Sequence, residues 1–154
     1  MSWYWLGLAA IAAGILLTVL WRYMHGMGRA VQHERAREMF RLQRERLEAK
    51  FLDAAAATGK PRGLIWMDCD FEPQIELVRD LQNKQLLGLV PVTIKFEAKA
   101  GGPMEGVEAV GNLRYATAVF VFERGHWVTQ GRALFNMHPG EAINHFAGQF
   151  ERVR

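Results

Sequence analysis

Three carboxylates, Asp68, Asp70 and Glu72, stand two residues apart in an otherwise apolar segment. On a strand that spacing puts them on one face. Paired carboxylates there could hold a hard cation, or raise one another's pKa for proton transfer. The rest of a metal set is missing, because the chain has no Asp-x-Asp-x-Asp-Gly loop and no His-x-x-x-His pair. The plainer expectation is a solvated strand face and no metal site. His138 and His145 are seven apart and read as a helix cap and one face of a helix rather than a zinc pair. Cys69, the single cysteine, falls in an apolar row with Met67 and Phe71. Aspartates on both sides raise its pKa rather than lower it, so a nucleophile is not expected. Gly101-Gly102, Gly106 and Gly111 make no phosphate loop, since no Gly-Lys-Ser/Thr follows them.

The ligand-binding candidates are Arg114 and Arg132, with Asn112, Gln130 and Asn136. Two arginines on polar positions of neighbouring strands, flanked by amides, would line a concave polar surface for an anionic or peptide ligand. A solvated sheet face is the competing reading. No catalytic residue and no cofactor is assigned.

These residues lie in a chain of 154 residues with an uneven charge distribution. Residues 22–62 carry ten Lys/Arg against five Asp/Glu, or 10 − 5 = +5, whereas residues 63–154 carry nine against eleven, or 9 − 11 = −2. A nucleic-acid-binding head would show the reverse, so no nucleic-acid partner is expected. One cysteine excludes an intramolecular disulfide.

Residues 2–20 carry no charged side chain, with Trp3, Tyr4 and Trp5 at one end and Trp21 and Tyr23 at the other. About twenty apolar residues with aromatic ends predict a transmembrane anchor over 1–24, with the lipid bilayer as partner of residues 3–21. Arg22, Arg29, Arg35 and Arg37 follow the span and no Lys or Arg precedes it. That bias predicts a single-pass protein of the cell membrane with its C-terminal domain cytoplasmic.

Residues 25–60 read as a juxtamembrane helical stalk. Gly26 and Gly28 predict a kink, followed by one long helix from about Arg29 to Ala57 with an apolar stripe of Ala36, Phe40, Leu47, Phe51 and Ala54. The stripe packs on the chain's own sheet or pairs with a second copy as a short coiled coil; Gln43, Arg44 and Lys50 interrupt the heptads and favour the first.

Residues 61–154 predict an α+β head: an antiparallel meander of about five strands closed by a C-terminal helix. Ile65, Met67, Cys69 and Phe71 should face inward, as should Val90, Val92, Ile94, Phe96 and Ala98, with Pro91 facing water. A strand over about 107–123, bent at Gly111, should turn at Arg124-Gly125 into a second over 126–137. Ile143, Phe146 and Phe150 should form the apolar face of the last helix. This order resembles cone-shaped ligand-binding folds such as the nuclear transport factor 2-like superfamily, although the helices that precede the sheet there are missing.

A strong anchor joined to a head without a catalytic constellation predicts a membrane-tethered interaction or scaffold module, binding a protein partner or its own copy. The alternative is a small-ligand or peptide receptor on the polar sheet face around Arg114 and Arg132. An enzyme acting through Asp68 and Asp70 ranks third.

Overall fold

The computed structural model describes residues 3–153, with the side chains at 3–6, 9 and 23–30 left outside the description. Helix α1 spans Trp3–Leu42 and helix α2 spans Arg44–Ala57. The chain forms two compact units, Met1–Arg35 and Ala36–Arg154.

In the first unit every large apolar side chain from Leu8 to Trp21 that is described lies between 53% and 69% exposed. Among the described residues, however, no helix is long and apolar enough to cross a membrane. This corrects the expected transmembrane helix and the single-pass cell-membrane placement, with its cytoplasmic C-terminal domain, built on it. The expected roles of Ser2 and of the Trp3, Tyr4, Trp5, Tyr23 and Arg29 side chains lie outside the described residues. The helix runs unbroken through Gly26 and Gly28.

The break falls at Gln43 instead, where φ −108° and ψ 9° separate the two helices. Arg44, just past the break, pairs with Glu48 one turn on, and its guanidinium donates to the carbonyls of Phe71 (2.9 Å) and Glu72 (2.6 Å). That clamp ties the start of α2 to the end of a strand.

Seven strands follow: β1 Leu64–Phe71, β2 Glu76–Asp80, β3 Leu86–Ala98, β4 Arg114–Glu123, β5 His126–Val128, β6 Ala133–Phe135 and β7 Phe150–Arg152, with helix α3 (Pro139–His145) before the last. All pairings are antiparallel in the order β5-β4-β3-β2-β7, with β1 also on β3 and β6 on β4. The long β3 is the spine. Its first half pairs with β2, its second half with β1, and β4 runs along its other side.

One face of the sheet, the helix side, carries the larger core. Phe51 of α2 is fully buried, with ring centroids 5.5 Å from Phe71 and 5.7 Å from Phe120. Phe40 packs edge-on to Phe120 (5.0 Å) and Trp127 (5.4 Å). The apolar stripe is thus spent on the chain's own sheet, with Ala55 rather than Ala54 as its last buried member. A stripe buried in this way offers no seam, which corrects the coiled-coil expectation.

The opposite, outer face is covered in its middle by Ile143 of α3 and Phe150 of β7, packed with Val78, Leu87, Leu89 and Val119. The segment entering α3 lies over β4, where the Thr117 hydroxyl donates to the Met137 carbonyl (2.7 Å). Pro91 is therefore buried rather than solvated. Phe150 belongs to a strand, not to the closing helix, which ends at His145.

Three departures have local causes. The β1–β3 register shifts between Trp66 and Asp68. A one-residue bulge swaps the faces of a strand, so Trp66 points inward with its indole N–H on the Lys60 carbonyl (2.7 Å), while Ile65 and Met67 are exposed. Residues 108–111 form a 3-10 turn with Val110 buried, so β4 begins only at Arg114 and Gly111 ends a turn rather than bending a strand. The hairpin at Arg124-Gly125 forms as expected, both residues at positive φ (49° and 83°), the combination that matches strand twist. The return strand splits into β5 and β6 around Gly131, where the backbone of α2 comes closest.

Candidate functional site

Register decides which side chains share a face, because directly opposed residues point the same way. Arg114 lies opposite Ile94, a helix-side core residue, and its guanidinium donates to the Ala109 carbonyl (3.1 Å). Arg132 falls between β5 and β6, and its carbonyl accepts the Val119 amide (2.9 Å). Ala133 stands opposite the helix-side Ala118, so Arg132 belongs to the outer face. The two expected ligand-binding arginines are on opposite sides of the sheet. Asn112 is exposed at the end of the 3-10 turn, and Asn136 is exposed in a turn at φ 58°. Of the five candidates only Gln130 and Arg132 come together.

They meet in a groove of about 260 Å³ on the outer face, at the margin of the cluster that Ile143 and Phe150 cover, with Asp80, Asn83, Gln85, Glu123 and a floor of Leu87, Val119 and Val121. Three strands build it row by row. Asp80 ends β2 and its amide donates to Gln85 (2.9 Å), whose side-chain amide donates to Glu123 of β4 (3.0 Å). Leu87 lies opposite Val121 in the next row. Val119, beside Arg132, forms the third. Asp80 is only 6% exposed, and its Oδ1 accepts the Gln82 amide (2.8 Å). Asp80, Asn83, Gln85 and Glu123 were missed from sequence. No local spacing singles them out, and only strand pairing brings Glu123 beside the end of β2.

Asp68, Asp70 and Glu72 do lie on the outer face: Asp68 stands opposite Lys95 and Asp70 opposite Thr93, while the Glu72 amide donates to Pro91. All three are exposed, and Asp68 accepts the Cys69 amide (2.9 Å). Among the described residues no group of His, Cys, Asp and Glu could hold a metal ion. Cys69 points to the core, and burial, aided by the Asp68 charge, pushes its thiol up to about 12. His138 sits at the N-cap of α3, its amide donating to Glu141 (2.9 Å), and the His145 ring abuts Phe146 at 4.7 Å.

The fold is that of an α+β protein: one antiparallel sheet, helix-covered on one face and partly covered on the other. No family, no curated protein and no solved structure matches the chain.

Proposed function

We propose that this protein is a non-catalytic interaction module, in which residues 8–21 of α1 dock on an apolar partner protein or on a second copy. The observation that carries the reading is the surface of Leu8, Ile11, Ile15, Leu16, Leu17, Val19, Leu20 and Trp21, each more than half exposed. Contiguous apolar surface of this kind marks a place where another surface belongs. The folded unit supports the reading from the other side. Its carboxylate row on β1 is solvated, its one thiol is held protonated, and His138 and His145 lie at the two ends of α3.

The test is photo-cross-linking in intact cells from a benzophenone amino acid at Leu16, with the same probe at exposed Asp70 as control. A discrete protein adduct from Leu16, lost when Leu20 is replaced by Glu, supports the docking surface. Adducts with lipid only, or none distinguishable from the Asp70 control, overturn it.

A further inference from the structure

We propose that the outer-face groove binds a small aliphatic zwitterion, its ammonium group held between Asp80 and Glu123 and its carboxylate by Arg132. This site is independent of the docking surface on α1. Asp80 is a carboxylate more than nine-tenths buried, with the Gln82 amide as its single hydrogen-bond donor among the described residues. Its second carboxylate oxygen is not sealed away without a partner, so it stays accessible from the groove that Asp80 lines. Glu123 has one oxygen on Gln85, and it stands at the same end of the groove.

Arg132 lines that groove but forms no ion pair with either acid, all ion pairs of the described unit lying elsewhere. Glu123 and Val119, the β4 residue beside Arg132, are four residues apart along the strand, about 13 Å between Cα atoms. The opposite charges are therefore held apart rather than neutralising one another. Leu87, Val119 and Val121 pave the interval between them. A ligand that matches has a cation and an anion separated by a few methylenes. The volume, about 260 Å³, sits at the small end of ligand pockets, which favours a metabolite-sized ω-amino acid over a peptide. Arg114, on the other side of the sheet, has no part in this site.

Calorimetric titration of the full chain with 6-aminohexanoate tests the proposal, with hexanoate and hexylammonium as single-charge probes. Saturable binding of 6-aminohexanoate is expected, at least roughly tenfold tighter than either control, since each end adds a charge-assisted hydrogen bond. Arg132→Gln, at an exposed side chain outside the core, should remove that advantage over hexylammonium while leaving hexylammonium binding unchanged. Asp80→Asn should weaken both amines, with circular dichroism checking that the turn at Asp80 persists. Equal affinity for all three compounds, no saturable heat up to tens of millimolar, or an Arg132→Gln protein that binds 6-aminohexanoate as before would each overturn it.

Discussion

Replacing Gly131 by alanine is expected to be among the most damaging single changes in the folded unit, although it adds one methyl group. Gly131 is buried at φ +70°, between β5 and β6, under the last turn of α2. A Cβ there would lie 2.6 Å from the Ala54 carbonyl carbon, 2.5 Å from Ala55 Cα and closer still to the Ala55 nitrogen. These are backbone atoms of a helix, and a helix cannot yield as a flexible side chain does. Two costs combine: about 1–2 kcal/mol for an L-residue in the left-handed region, and about 1–3 kcal/mol for forcing α2 off the sheet. The sum is roughly 2–5 kcal/mol, a large part of a typical domain stability of about 5–15 kcal/mol. Gly125 provides the control, since it sits at φ +83° with nothing within 4 Å of a built Cβ. Gly125→Ala should cost only the first of the two, about 1–2 kcal/mol. Urea unfolding of the two variants, followed by tryptophan fluorescence, measures the difference directly. If Gly131→Ala unfolds no earlier than Gly125→Ala, the close approach of α2 to the sheet at this point is wrong.

Phe51→Ala removes the fully buried ring at the centre of the helix-side core and should cost about 3–5 kcal/mol in the same assay. A loss under 1 kcal/mol would mean that α2 does not pack there. Trp127→Phe keeps most of the apolar volume but deletes the buried indole N–H bonded to the Ala36 carbonyl (2.8 Å), at a cost of about 1–3 kcal/mol. Cys69 should resist alkylation. With its thiol raised from 9.0 to about 12, folded protein holds about a thousandfold less thiolate at pH 8 than the unfolded chain. Iodoacetamide labelling, read by mass spectrometry, should be slow in native buffer, speed up toward pH 12, and become fast in urea; rapid native labelling at pH 8 contradicts a core-facing thiol.

Much of the architecture follows from short-range pattern. The alternation in Val90, Val92, Ile94 and Phe96, the Arg-Gly hairpin and the apolar spacing of Phe40, Leu47 and Phe51 are set by side-chain periodicity and turn chemistry. Each is legible without knowing what lies opposite. The α+β class and the packing of the second helix on the sheet follow from the same signals. The carboxylate row at Asp68, Asp70 and Glu72 was likewise legible as a solvated face, because both sides of that register point to water or core by simple alternation after the bulge.

Other features depended on residues far away in the chain. The bulge at Met67 turned Trp66 inward and left Ile65 outside, because β1 must meet β3 in a register that Trp66 and Phe96 fix together. Pro91 became buried because the segment after β6 folds across the outer face. The split between β5 and β6 reflects the approach of α2, whose last turn lies some seventy residues earlier by sequence number. The candidate site shows the same division. Polar residue types in 112–136 could be singled out from sequence, yet cross-strand pairing sent Arg114 to one face and Arg132 to the other. It joined Arg132 to Asp80 and Glu123, which no local spacing connects. Amino-acid periodicity decides which face of an element is apolar, and only the pairing of elements decides which polar groups end up sharing one surface.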